Sequence, residues 1–265
     1  MNPAGARVLI TGANGGIGTA VARRLHAAGA TVLLSGRQRE PLEQLAAQLG
    51  ARAEALVADL ADREQVATLP ERAGTVDVLV ANAALPASGR LVEFTPEQID
   101  RALDVNLRAP IMLARALAPG MADRGNGHLV FISSLAGKAG SPGGSLYSAT
   151  KFGLRGFAQG LHEDLFHAGV GVTTVFPGFI REAGMFHRSG AKLPRFVGTR
   201  TVEDVADAVL TGIERRRMEV DVAPLGMRLG SHFAGVAPGL AAAVQRRLGS
   251  HDVSAAIARG QADRR

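Results

Sequence analysis

Short apolar runs alternate with longer amphipathic stretches along most of this chain. Residues 7–11, 31–35, 53–58, 76–81, 128–133, 170–176 and 219–223 are rich in Val, Leu, Ile and Thr and read as seven strands. Between them, residues 20–28, 40–49, 62–73, a region from 95 to about 124, and 147–167 carry helical spacing, as in Leu154, Phe157, Leu161 and Leu165. Thr95-Pro96-Glu97-Gln98 has the form of a capping box, with Thr at the N-cap, Pro at the first helical position and Gln at the third; Thr201-Val202-Glu203-Asp204 opens one more helix. Strands apolar on both faces, alternating with helices and without a linker, predict one doubly wound α/β domain: a parallel seven-stranded sheet with helices on both faces. That domain is expected over residues 1–223. Residues 177–200 look irregular. From 224 to 265 the chain turns Gly-, Ala- and Arg-rich, with 240–248 patterned as an amphipathic helix and the last dozen residues expected to be loosely ordered.

Composition narrows the chemistry. The chain has 265 residues, of which 46% are hydrophobic, so a large core is within reach. It has no cysteine, which removes disulfides, thiolate nucleophiles and thiolate metal sites and fits a reducing, cytoplasmic location. The seven histidines are dispersed and show no metal-ligand spacing. The formal charge is +6, but the basic clusters are short and not interleaved with aromatics, so no nucleic-acid partner is expected. The first residues lack the apolar core of a signal peptide, and no apolar run approaches the ~20 residues needed to span a bilayer.

Two stretches carry candidate chemistry. After the first strand comes Gly12-Ala13-Asn14-Gly15-Gly16-Ile17-Gly18, and a helix follows. Gly12 would permit a tight turn. Gly16 and Gly18 would let backbone approach a pyrophosphate lying at the helix N-terminus. At the end of the second strand, Ser35-Gly36-Arg37 stands where an NAD site would place an acid. Arg37 can instead pair with a 2′-phosphate, which favours NADP over NAD, and Arg39 is a second candidate. Asp59 and Leu60 end the third strand beside the expected adenine, and Asn82-Ala83 ends the fourth along the adenosine side. The second stretch is Tyr147-Ser148-Ala149-Thr150-Lys151. Tyr147 is the only tyrosine, and Lys151 stands four residues on, one helical turn away. A cation held near a phenol favours the phenolate, which would make Tyr147 a usable general acid/base for a carbonyl/alcohol pair.

Taken together, these residues resemble the short-chain dehydrogenase/reductase family, the compact type of about 250 residues. The likeness covers roughly residues 7 to 223. It rests on Thr11-Gly12-(three residues)-Gly16-Ile17-Gly18, Asn82-Ala83-Ala84, Asn106, Ser134 thirteen residues before Tyr147, the Tyr147/Lys151 pair, and Pro177-Gly178 after the sixth strand. The resemblance implies a Rossmann-type domain that binds NADP in a site including Asn14, Gly15, Pro177, Gly178 and Ile180. It implies that Tyr147 exchanges a proton with the substrate oxygen and that Ser134 orients that oxygen. Lys151 would lower the Tyr147 pKa and bind the nicotinamide ribose, and Asn106 would hold a water that links Lys151 to a proton relay. Spacing favours Ser134 over Ser133. Glu182 replaces the threonine usual after Pro-Gly, which would leave the nicotinamide carboxamide to the backbone of Ile180. Phe179, Met185, Phe186, Leu193 and Phe196 lie in the segment 178–200, which in the family is the substrate loop; a small satellite core is the other reading. The expected activity is hydride transfer between NADP(H) and a carbonyl or secondary alcohol of a small or apolar substrate, in a homodimer or homotetramer. The alternative is an NADP(H)-binding regulatory protein without significant turnover.

Overall fold

The computed structural model of the protein describes residues 1–181, 189, 197–247 and 250–261. Seven strands form one sheet: β1 (Arg7–Thr11), β2 (Thr31–Gly36), β3 (Ala53–Val57), β4 (Val78–Ala81), β5 (Gly127–Ile132), β6 (Val170–Pro177) and β7 (Glu219–Val222). Their order is β3-β2-β1-β4-β5-β6-β7, and every pairing is parallel. The helices between them are α1 (Gly16–Ala27), α2 (Arg39–Leu49), α3 (Arg63–Ala73), α4 (Pro96–Leu103), α5 (Ala109–Asp123), α6 (Ser145–Leu165) and α7 (Val202–Arg215). Three more follow the last strand: α8 (Leu225–Val236), α9 (Pro238–Arg247) and α10 (Ser250–Gln261).

Strand alternation explains the two helical layers. Val8 and Ile10 point to one face of the sheet and Leu9 to the other, and all three are fully buried. On the first face, Val32, Leu34, Val78, Val80 and Val130 continue that layer and pack under α1, α2 and α7. On the second, Leu33, Leu79, Leu129 and Phe131 pack under α3, α5 and α6 through Leu69, Leu113, Met121 and Leu154. Aliphatic side chains seal both faces of the central strands, while charged side chains appear on the outer ones, Glu54 in β3 and Glu219 and Asp221 in β7.

Local signals set the helix ends. The Asp62 carboxylate caps α3 by accepting from the N–H groups of Glu64 and Gln65. The expected capping box forms at Thr95/Gln98, and the helix opened by Thr201 is capped in the same way, by Thr201/Asp204. The region from 95 to 124 differs from the single run of helix its pattern predicts. Between α4 and α5, residues Asp104–Arg108 make a π-helical turn. Pro110 is one cause: it has no N–H to donate to the carbonyl of Asn106, four residues before it. In the tail, α10 takes in residues 254–261 of the last dozen.

Candidate active site

The strand order places the candidate residues. From β1 the sheet grows one way through β2 and β3 and the other way through β4, β5 and β6. A crevice therefore opens at the carboxyl ends of β1 and β4, where doubly wound sheets hold ligands. The Gly12–Gly18 turn leaves β1 there, Arg37 follows β2, Asp59 follows β3, Asn82 follows β4, Ser134 follows β5, and Pro177 ends β6. Gly12 has φ +63°, and a Cβ on it would stand 2.9 Å from the Cα of Ala83. A Cβ on Gly18 would run into the carbonyl oxygen of Gly12. These glycines let α1 start directly against the strand. Its N-cap, Gly15, has no capping side chain, and its first turn contains no acid. The first N–H groups of α1 are thus left to an anion.

The crevice is a cleft of about 430 Å³. The glycine turn with Asn14 and Ile17 forms its floor, and Arg37, Asp59, Leu60, Asn82 and Ala83 are among its walls. Arg37 is exposed and forms no hydrogen bond or ion pair with the described residues, whereas Arg39 turns to Glu43 on its own helix at 3.2 Å. The residues fit a dinucleotide: a bare helix N-terminus stands where a pyrophosphate would lie, with an unpaired guanidinium at the ribose end. Asn82 braces the turn. Its Nδ2 donates to the carbonyls of Thr11 and Gly12 at 3.0 and 3.1 Å, and Thr11 Oγ1 accepts from the N–H groups of Asn82 and Ala83. Arg101 and Val105 also line the cleft and were not among the sequence candidates. Their i, i+4 spacing puts them on one helical face, but nothing in the sequence tells that this face meets the cleft.

Beyond this cleft, β5 and α6 bring the other candidates together. Ser133 and Ser134 are separated by their partners. The Ser133 hydroxyl is buried and donates to the carbonyl of Lys151 at 3.1 Å. Ser134 is half-buried; its Oγ accepts from the N–H of Ala136 at 3.1 Å and interacts with the Tyr147 phenol. Tyr147 rests against Ala87, Phe94, Ala102 and Leu146. Lys151 is buried one helical turn away and donates from Nζ to the carbonyl of Ile132 at 2.9 Å.

The electrostatics differ from the sequence expectation. Burial pushes the Tyr147 phenol up to about 12, and its hydrogen bond with Ser134 only partly opposes this. Burial pulls the Lys151 ammonium down to about 8. The expected depression of the phenol by Lys151 is therefore not present in the ligand-free chain. The Nζ lies 5.7 Å from the ring centroid, and desolvation of both groups outweighs their attraction.

Asn106 sits in the π-helical turn and is buried. Its Oδ1 accepts from the N–H of Leu85 at 2.6 Å, and its Nδ2 donates to the carbonyl of Leu85 at 3.0 Å. The side chain thus clamps the chain just past Asn82–Ala84, and both of its polar atoms are committed to Leu85. Past β6, Gly178 donates its N–H to Val222 at 3.0 Å. Ile180 is buried and pairs with Arg200 through the bonds Arg200 N to Phe179 O and Arg181 N to Arg200 O. Neither bond uses the N–H or C=O of Ile180 itself. Glu182, Met185, Phe186, Leu193 and Phe196 lie outside the described residues. Among the described residues no group of acids and histidines could hold a metal, and no helix is long and apolar enough to cross a membrane.

A parallel doubly wound seven-stranded sheet with a cleft at its carboxyl edge defines a Rossmann-type α/β protein. The short chain dehydrogenase family model matches residues 6–193, and the chain belongs to that family of oxidoreductases. It is 36% identical over 241 residues to nodulation protein G of Rhizobium sp. (strain N33), spanning 89% of this chain and 93% of that protein. It is 34% identical over 225 residues to ketoacyl reductase HetN of Nostoc sp. (strain PCC 7120), spanning 82% and 78%. Among solved structures, a short-chain dehydrogenase from Sphingobium yanoikuyae in complex with NADPH superposes with a TM-score of 0.78 at 33% identity, covering 89% of this chain and 95% of that one.

Proposed function

We propose that the protein is an NADP(H)-dependent carbonyl reductase or alcohol dehydrogenase acting on a small or apolar substrate, with Tyr147 as general acid/base. One observation carries this reading: the Tyr147 phenol, the Ser134 hydroxyl and the Lys151 ammonium gather at the carboxyl edge of β5, next to a cleft fit for a dinucleotide. The NADPH complex of a relative and the ketoreductase name of another agree with it. Arg37 supports NADP, because an unpaired guanidinium at the ribose end matches a 2′-phosphate.

A bound nicotinamide supplies or accepts a hydride at the substrate carbon. The chain's own residues manage the oxygen. Ser134 donates a hydrogen bond to the carbonyl oxygen and holds it against the Tyr147 hydroxyl. With its pKa raised to about 12, the phenol is fully protonated at neutral pH and is ready to donate as negative charge develops on that oxygen. Lys151, at about 8, stays mostly charged at pH 7 and stabilises the tyrosinate left behind. In this reading Asn106 holds a water that returns a proton by way of Lys151, and the backbone of Ile180 meets the carboxamide. In the oxidative direction the same phenol must first lose its proton, so oxidation speeds up as pH rises. The test is NADPH oxidation over a panel of ketones, aldehydes and β-ketoacyl thioesters. Turnover of at least one class is expected. Tight NADPH binding without turnover of any would overturn the reading in favour of a cofactor-sensing protein.

A further inference from the structure

The segment after β7 is built inside out. Six of the eleven large apolar side chains exposed among the described residues fall within residues 225–244: Leu225, Leu229, Phe233, Val236, Leu240 and Val244. Within α8 the spacing of four, four and three keeps Leu225, Leu229, Phe233 and Val236 on one face, and within α9 the spacing of four does the same for Leu240 and Val244. Most of the residues these helices turn to the body are small: Ser231 and Ala241 are buried and Ala234 is half-buried, beside the larger, half-buried Met227. Val236 is 87% exposed and Leu225 67%. A helix pair stabilised only by packing on its own domain would show the opposite arrangement.

Charge says what covers this face. From Val222 to His251 the sequence contains no Asp or Glu, and Arg246 and Arg247 are exposed, while Arg228 already faces Asp221 at 3.9 Å. A second copy of the chain on this face would set these cations against one another with no carboxylate of the segment to answer them. An anionic lipid surface answers Arg246 and Arg247 and takes the apolar side chains into its acyl boundary. We propose that α8 and α9 form an interfacial docking surface for an anionic membrane, on which the protein sits without spanning it. The surface is continuous with the candidate site. Met227 of α8 packs with Leu135, Phe176 and Ala223, and its Cε would lie 3.4 Å from a Cβ placed on Gly178.

The test uses the full chain with vesicles of phosphatidylcholine alone and of phosphatidylcholine with phosphatidylglycerol, in a co-sedimentation assay. Binding to the anionic vesicles is expected, weakening as salt is raised. The double variant Arg246→Gln/Arg247→Gln should weaken it roughly thirty-fold, since each basic residue near such a surface contributes a factor of about five. Leu229→Ser/Phe233→Ser should abolish it, with an unchanged thermal midpoint showing that the fold is intact. No sedimentation with anionic vesicles at low salt overturns the proposal. So does a gel-filtration shift from a larger species to monomer in Leu229→Ser/Phe233→Ser without vesicle binding by the parent, because a second copy would then be the occupant. The candidate active-site residues are untouched in these variants, so the outcome is independent of the enzymatic reading.

Discussion

Replacing Lys138 with Met removes the cation that ties the Ser134 loop to the last strand. Lys138 follows the short helical turn after Ser134, and its side chain is 2% exposed. Its Nζ stands 2.6 Å from Asp221 and 2.9 Å from Glu219 on β7, and 4.0 Å from the ring centre of Phe176. Met keeps the length and most of the volume, so the change is chiefly one of charge. Glu219 retains Arg155 at 2.7 Å and Gln159 at 3.1 Å. Asp221, 7% exposed, retains only Arg228 at 3.9 Å and His232 at 3.7 Å. The variant thus leaves one carboxylate poorly compensated in a buried place. Losing one partner of a buried pair costs about 3–5 kcal/mol, and the partners left to Glu219 put this case near ~3 kcal/mol. In a chain of this size that lowers the thermal midpoint by roughly 6–12 °C. Urea unfolding at pH 7 should show a lower midpoint with an unchanged slope. Adding Asp221→Asn should recover most of the loss by removing the stranded charge. The pH dependence has a definite sign. Burial raises the Glu219 carboxyl, but hydrogen bonds from Arg155 and Lys138 outweigh this and hold it below its ordinary value of 4.5. Its contribution is present above that value and is lost as pH falls through the lowered one, so parent and variant should converge in acid. A loss under about 1 kcal/mol in Lys138→Met, or no recovery in the double variant, would refute the reasoning.

Two further outcomes are expected. His128 is buried on β5; Thr173 donates its hydroxyl to the Arg217 carbonyl at 2.6 Å and so accepts from His128 Nε2–H at 2.8 Å, leaving Nδ1 buried without a hydrogen-bond partner among the described residues. Burial therefore holds this imidazole neutral, with its pKa lowered to about 3. The stability this confers is present above 6.5 and is lost as pH falls toward 3, by up to ~1.4 kcal/mol per pH unit, and a His128→Gln variant should show a flatter urea midpoint against pH. Arg37→Ala should raise the Kd for NADPH by about 10- to 100-fold in a fluorescence titration and leave NADH nearly unchanged, as loss of a charged hydrogen bond implies; equal effects on both would remove Arg37 from the 2′-phosphate.

The sheet was legible because its strands are apolar on both faces, a pattern with few other outcomes. Val8-Leu9-Ile10 and Val78-Leu79-Val80 could hardly sit anywhere else. The glycine turn was legible for the same kind of reason: a Cβ at Gly18 has no room. Helix breaks were harder to see. The start of α1 at Gly16 is hidden by glycines that propensity assigns to a loop, and the π-helical turn at Asn106 follows from Pro110, whose effect falls four residues upstream of it. Spacing chose Ser134 over Ser133, but only three-dimensional partners show why, since the Ser133 hydroxyl is committed to the Lys151 carbonyl. The Tyr147 pKa could not be read from an i, i+4 pair, because its direction depends on burial, which a pair of letters does not contain. The period of α9 was legible over 240–248 and that of α8 was diluted by Gly226, Gly230 and Gly235, but a pattern of letters does not tell that the apolar faces turn to solvent.

The central claim is that Tyr147 transfers the proton while hydride moves at carbon. The most direct measurement is a single-turnover comparison of the parent chain and Tyr147→Phe, with NADPH binding measured alongside. Removing only the phenolic oxygen should leave NADPH affinity within a few-fold and cut the rate of NADPH oxidation by about 10²- to 10⁴-fold. An unchanged rate in Tyr147→Phe, with cofactor still bound, would contradict the account.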